Sequence, residues 1–150
     1  MLRLLRLEAL ADTPIAYLET LEQARAMDDA GWQARATRGA EGGDSLQVLA
    51  LVGDRAVGTT VCFVSGDAAW LAGVFVAPPA RGRGLLAELV APCLDWARSQ
   101  QQSVLRLEVH EDNAGARAAY ARLGFVETGE RRPYPLDPSR QELTMQRWIT

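Results

Sequence analysis

Apolar residues recur along this chain at two spacings, one near two residues and one near three and a half, and their alternation divides it into elements. The leucine-dense opening, Leu2–Leu10, is expected to be a strand. Asp12-Thr13-Pro14 then suggests a helix start, a capping side chain with proline in the first turn. Ile15, Leu18, Leu21 and Ala24 follow at helical spacing. A second short helix is expected over Met27–Arg38, ended by the loop Gly39–Asp44, where Gly42-Gly43 is the most mobile-looking stretch. Three strand-like runs come next, Ser45–Val52, Arg55–Phe63 and Ala68–Val76. The turns Gly53-Asp54 and Ser65-Gly66-Asp67 between them predict an antiparallel meander.

Beyond Val76 strands alternate with helices. A glycine-rich turn opens a helix over Leu85–Ser99, with Leu86, Leu89, Val90, Cys93, Leu94 and Ala97 on one side. Pro92 lies inside it and is expected to kink or break it. A strand at Val104–Val109, a helix at Ala114–Leu123 and strands near Phe125–Glu130 and Glu142–Ile149 complete the chain. The segment from Arg132 to Arg140, with three prolines, suggests a rigid loop crossing to the last strand. The order β-α-α-β-β-β-α-β-α-β-β is that of a mixed sheet of the α/β (α+β) class, and 150 residues suit one domain over 1–150.

Composition narrows the chemistry. Hydrophobic residues make up 48% and charged residues 23%, the balance of a water-soluble globular protein, and no apolar run reaches the ~20 residues of a membrane span. The expected location is the cytoplasm. All 16 basic residues are arginine. Without lysine, Schiff-base chemistry, pyridoxal phosphate attachment and the Walker-type phosphate lysine are excluded together. A net charge of −3 argues against a general nucleic-acid surface. One histidine, His110, and two cysteines without CxxC spacing, Cys62 and Cys93, do not compose a zinc site of the usual kind, and no metal is expected.

Chemistry concentrates in Val74-Phe75-Val76-Ala77-Pro78-Pro79-Ala80-Arg81-Gly82-Arg83-Gly84-Leu85-Leu86. A strand enters a tight turn that opens a helix, and a helix's first turn has unpaired N–H groups and partial positive charge that attract phosphate. Gly82 and Gly84 permit close backbone approach, and Arg81 and Arg83 add charge; a solvated strand-to-helix turn has the same composition. Farther on, Leu105, Leu107 and Val109 share one strand face and leave Arg106, Glu108 and His110 on the other. Three polar residues there suggest a face bordering a cleft, or a surface ion pair of Glu108 with Arg106.

The run Val-x-Val-x-Pro-x-x-Arg-Gly-x-Gly resembles motif A of the GNAT acetyltransferases, Gln/Arg-x-x-Gly-x-Gly/Ala, matching at Arg81 and Gly84, with Leu86 where that family usually has glycine or alanine. Asn113-x-x-Ala116-x-x-x-Tyr120-x-x-Leu123-Gly124-Phe125 resembles motif B. The stretch Leu107-Glu108-Val109-His110-x-x-Asn113 is similar to the ribosomal-protein N-terminal-alanine acetyltransferases. The resemblance implies a GNAT-like sheet with an antiparallel first half and a V-shaped opening between the fourth and fifth strands. It implies acetyl-CoA held by Val74, Phe75, Val76, Arg81, Gly82, Arg83, Gly84, Leu85, Leu86, Asn113 and Tyr120. Tyr120 would protonate the leaving thiolate, although a half-buried aromatic between helix and sheet is the other reading. Glu108 would be the base, with His110 and Asp112 as alternates. The expected partner is an amine acceptor, a small molecule or a peptide N-terminus, with a homodimer open and no nucleic acid or membrane. Trp32, Arg35, Arg38, Arg131, Arg132, Tyr134 and Arg140 lie in the acceptor regions the resemblance implies. A non-catalytic acyl-CoA-binding module is the alternative.

Overall fold

The computed structural model describes residues 1–41 and 44–149. The opening is a helix, α1 (Leu2–Asp12), and not the expected strand. No β-branched residue occurs before Thr13, and leucine, arginine, glutamate and alanine are strong helix formers. Leu5, Ala9 and Leu10 are buried on one side while Leu4 is exposed, a helical distribution.

The helix start expected at Pro14 makes only a short 3-10 turn, Pro14–Ala16, and the backbone then extends at Tyr17. Tertiary bonds hold it there: the Tyr17 hydroxyl donates to Val74 O at 2.8 Å, and the Tyr134 hydroxyl donates to Tyr17 O. Helix α2 (Leu21–Ala26) starts later, where Thr20 and Gln23 form a reciprocal capping box. Helix α3 (Asp29–Glu41) starts where Asp28 Oδ1 accepts from Gly31 N–H at 2.8 Å, and it runs past the expected end at Arg38. The Gly42-Gly43 pair lies outside the described residues.

Strands β1 (Ser45–Val52), β2 (Arg55–Ser65) and β3 (Ala68–Val76) form the antiparallel meander, with Gly53 and Gly66 at φ 60° and 62° in its two turns. Helix α4 (Leu85–Ser99) continues through Pro92 without a break. Strand β4 (Val104–His110), helix α5 (Ala114–Arg122), β5 (Val126–Tyr134) and β6 (Asp137–Trp148) follow. The expected proline-rich loop is instead the tip of a hairpin, with Tyr134 opposite Asp137. Pro133 is tolerated because β5 is an edge strand whose register shifts at that point.

The sheet order is β1-β2-β3-β4-β6-β5, antiparallel except between β3 and β4. Those two strands are the fourth and fifth of the expected order. They pair only at Ala69–Leu105 and Trp70–Arg106, so the rest of β3 and β4 part as a wedge, the V-shaped opening that the sequence resemblance implies. One core, including Cys62, Val90, Leu105, Leu107 and Phe125, lies between the sheet and α4 and α5. A second, including Leu5, Ala9, Trp32 and Phe75, lies under α1 to α3. Among the described residues no helix is long and apolar enough to cross a membrane.

Leu105 is fully buried at the residue where β3 and β4 still pair. Leu105→Ala should therefore cost about 2–5 kcal/mol. Urea unfolding should show a lower midpoint with an unchanged slope.

Candidate active site

The wedge deepens into a cleft of about 910 Å³. One wall is β3 and the turn after it. Ala77 N–H donates to Val57 O at 2.8 Å, which makes residues 57 and 77 a hydrogen-bonded pair. By alternation the next pair, Gly58–Val76, is non-bonded, and Val76 turns its N–H and C=O away from β2 towards the gap left by β4. The polar edge facing the cleft is partly occupied: Val74 O accepts from Tyr17 and Val76 O from Arg81 Nε at 2.8 Å. Among the described residues Val76 N–H has no acceptor.

Gly82 and Gly84 have φ of 75° and 77°, and a β-carbon on either would meet no atom within 4 Å. The left-handed backbone, rather than crowding, calls for glycine here. Gly84 is the N-cap of α4 and contributes no side-chain cap. Among the described residues the amides of 82 to 87 have no acceptor, leaving the positive end of a fifteen-residue helix unsatisfied at the cleft. Arg81 adds less charge than expected. Its guanidinium pairs with Asp12 at 2.5 Å and lies over the Phe75 ring, fastening the turn to α1. Arg83 does not line the cleft.

Across the gap, Asn113 Oδ1 caps α5 by accepting from Ala116 N–H at 3.3 Å. That cap starts the helix that carries Tyr120 to the cleft, and Gly124, at φ 89°, ends it. The Tyr120 ring meets Phe125 edge-on at 5.9 Å, so the packing reading is correct for the ring. The hydroxyl has no partner among the described residues, and burial, with a smaller effect from Tyr17, raises its pKa above the usual phenol value.

The acidic end is built on β4 and β6. Glu108 and His110 share a face, and Glu142 stands directly opposite His110. Arg132 Nε contacts Glu108 Oε2 and reaches Glu142 Oε2 at 3.1 Å, joining the two carboxylates. Glu142 is only 7% exposed. Burial first, then a proton-sharing contact with Glu142, pushes Glu108 up to about 7, against the opposing pull of Arg132. The alternative, a Glu108–Arg106 ion pair, does not form among the described residues; Arg106 bonds to Asp67 at 3.1 Å. His110 Nδ1 accepts from Asp112 N–H at 3.0 Å, and its ring sits edge-on to Tyr134. Asp112 is exposed, bonded to Arg140, and does not line the cleft.

The cleft thus brings together Val74, Phe75, Val76, Arg81, Gly82, Gly84, Leu85, Leu86, Glu108, His110, Asn113 and Tyr120, and leaves out Arg83 and Asp112. Sequence reasoning missed Tyr17 and Glu142. Glu142 becomes visible only once the register sets it opposite His110, and Tyr17 only once Val74 needs a donor. Arg131 and Arg140 pair with Glu111 on the surface, whereas Arg132 lines the cleft.

A sequence model described as the Acetyltransferase (GNAT) family matches residues 7–125. This chain belongs to the GNAT acetyltransferase family. It is 36% identical over 86 residues to the N-alpha-acetyltransferase MAK3 of Arabidopsis thaliana, covering 54% of this chain and 45% of that protein. The chain spans less than half the length of the curated relatives it matches. Among solved structures, nourseothricin acetyltransferase superposes with a TM-score of 0.67 at 30% identity, over 72% of this chain and 67% of that one. Salmonella typhimurium yncA, solved with acetyl-CoA, superposes with a TM-score of 0.75 at 18% identity, over 99% and 87% of the two chains. At that identity the likeness establishes the GNAT fold alone.

A carboxyl whose folded pKa is raised is easiest to hold when protonated. Its favourable share of stability is present below the unfolded value near 4.5 and is lost as pH rises through about 7. Glu108→Gln should therefore raise Tm more at pH 8.5 than at pH 4.5, by about 2–4 °C. Equal shifts at both pH values in thermal melts would refute the burial assignment.

Proposed function

We propose that this chain transfers an acetyl group from acetyl-CoA to a primary amine, a small-molecule amine or a peptide α-amine, by direct attack in a ternary complex. One observation carries the reading: open amides at the start of α4, the free Val76 N–H, the Tyr120 hydroxyl and Glu108 all face one cleft. The unsatisfied amides of 82 to 87 fit a diphosphate, and the open β3 edge at Val74–Val76 fits an extended pantetheine arm. Bound acetyl-CoA supplies an activated thioester carbonyl and a thiolate leaving group.

Each residue then has a proton or a charge to handle. Glu108, held near neutrality in its pKa, accepts the proton of the attacking amine, directly or through water. Val76 N–H supports the oxygen as it gains charge. Tyr120, protonated throughout the neutral range, donates to sulfur as the carbon–sulfur bond breaks. An α-amine with a pKa near 7.7–8.0 is about 10–15% neutral at pH 7, against fewer than about one in a thousand for a lysine amine. A weakly basic acceptor therefore asks less of a base that is itself half ionised.

Turnover with acetyl-CoA and a panel of free-amine peptides, amino acids, polyamines and aminoglycosides tests the reading by thiol release. Tight acetyl-CoA binding without turnover on any acceptor would leave the non-catalytic acyl-CoA module, which the bulk of Leu86 favours. Tyr120→Phe should lower kcat roughly tenfold or more while the acetyl-CoA Kd stays within about twofold. An unchanged kcat removes Tyr120 as the acid.

Wild-type kcat/KM should rise with pH through about 7 as Glu108 ionises. Glu108→Gln should flatten that limb, with a loss of roughly 10²–10³-fold above pH 7 and a smaller one below. A pH-independent ratio between variant and wild type would assign Glu108 to positioning.

A further inference from the structure

The sheet divides the cleft into two sides, and the proposed coenzyme contacts use only one of them. Cys62, Leu71, Leu105 and Leu107 pack on the side of α4 and α5, the helices that carry the open amides and Tyr120. Alternation puts Phe63, Trp70, Arg106 and Glu108 on the opposite face. Phe63 pairs with Trp70, and Trp70 with Arg106, so these three form a row across β2, β3 and β4. Ala72 and Glu108 each stand two residues past the last paired positions, where the strands begin to part. Phe63, Trp70, Ala72 and Glu108 all line the cleft.

Ala72 belongs to an interior strand of the sheet and is nonetheless exposed, with Phe63 and Trp70 half-buried beside it. The polar groups around this floor are bonded within the chain. Trp70 Nε1–H donates to Ser65 O at 3.3 Å, and Arg106 donates to Asp67 at 3.1 Å and to Gln146 at 3.3 Å. Neither Arg106 nor Asp67 lines the cleft. Arg6 borders the floor at Gly73, where a β-carbon would meet its Nη1 at 3.9 Å; it is held by Glu19 and lies over the Tyr17 ring. Leu18, just after the Pro14–Ala16 turn, also lines the cleft and is 51% exposed. Beside Glu108 this side of the cleft therefore offers aromatic and aliphatic surface, which an apolar group covers favourably and a charged one does not. A basic group would also meet the like charge of Arg6.

An amine that gives its proton to Glu108 brings the groups on its own carbon over this floor. We propose that the floor formed by Phe63, Trp70 and Ala72 selects acceptors with a bulky apolar group on the carbon next to the reacting amine, as in a peptide whose first residue is phenylalanine or leucine. The proposal rests on the acetyl-transfer reading for the role of Glu108 and narrows its acceptor class. Ala72 is small where that group would lie, so its size sets the room available, and the two rings supply flat apolar surface. Covering a phenylalanine side chain favours it over glycine by roughly tenfold to a hundredfold.

Thiol release from acetyl-CoA is compared for peptide amides X-Gly-Gly in which X is phenylalanine, leucine, glycine, glutamate or lysine. kcat/KM should be at least about tenfold higher for phenylalanine and leucine than for the others. Ala72→Leu fills the floor and Phe63→Ala removes part of it; each, checked for folding by circular dichroism, should lower the phenylalanine-to-glycine ratio at least about fivefold. A readout without turnover uses the ¹⁵N-labelled full chain with coenzyme A in place of acetyl-CoA, the Trp70 indole N–H being assigned by Trp70→Phe. The phenylalanine peptide should shift that resonance saturably, and the glycine peptide should need at least about tenfold more. Equal kcat/KM across the peptides, a ratio unchanged in both variants, or a Trp70 signal that does not distinguish the two peptides would each overturn the proposal. Failure of the acetyl-transfer reading would show separately, as absent thiol release on every peptide with an intact Trp70 response.

Discussion

Parallel strands β3 and β4 bond to each other at only two residue pairs, and the site follows from their separation. A strand edge without a neighbour still has polar groups to satisfy, and each one buried without a partner costs about 1–3 kcal/mol. Residues distant in sequence meet that demand. Tyr17 binds Val74 O, Arg81 binds Val76 O, and Tyr134 holds the backbone of Tyr17. The wedge thereby fastens the first segment of the chain and the last hairpin to one wall. Among the described residues Val76 N–H on that edge has no acceptor, and the proposed reaction needs a donor there.

Charge along the cleft is arranged by cancellation as much as by placement. Arg81 is the most obvious cation of the glycine turn, yet Asp12 neutralises it, and the positive character that remains comes from the backbone at the start of α4. At the other end Arg132 offsets only one of two carboxylates. Glu142 is nearly sealed from solvent, so its charge and its contact act on Glu108 through low-dielectric surroundings. A glutamate of ordinary pKa would be ionised well below neutrality, and its loss would be felt evenly across the neutral range. Burial moves the expected dependence to the neutral range.

Much of this fold was legible because local signals agreed with tertiary ones. The meander strands, the limits of α4 and the position of β4 follow from turn glycines and from apolar spacing. The first segment was misread because leucines at Leu2, Leu4, Leu5, Leu7 and Leu10 satisfy either period, and only the burial of Leu5, Ala9 and Leu10 decides for a helix. The proline-rich hairpin was misread because an edge strand tolerates a proline that a central strand would not. Within the cleft, the glycine turn, Tyr120 and Glu108 stand in motifs and could be found by spacing. Glu142, Tyr17 and the Asp12 latch on Arg81 depend on register and on contacts 34, 57 and 69 residues apart in sequence, which no local pattern records.

The two titratable groups proposed for the reaction are both shifted upward by burial, and the shared direction gives them different tasks. Tyr120 begins above neutrality, so raising it further keeps its proton in place, and the phenol gives it up only as charge develops on the departing sulfur. Glu108 begins below neutrality, so raising it to about 7 makes it a better proton acceptor while leaving a large share ionised. One physical effect, desolvation beside a dividing sheet, thus yields a resting state with a proton on the phenol and a vacancy on the carboxylate. In the proposed reaction the proton leaves the amine at one group and reaches sulfur from the other. That direction of flow follows from where the two side chains start relative to neutral pH.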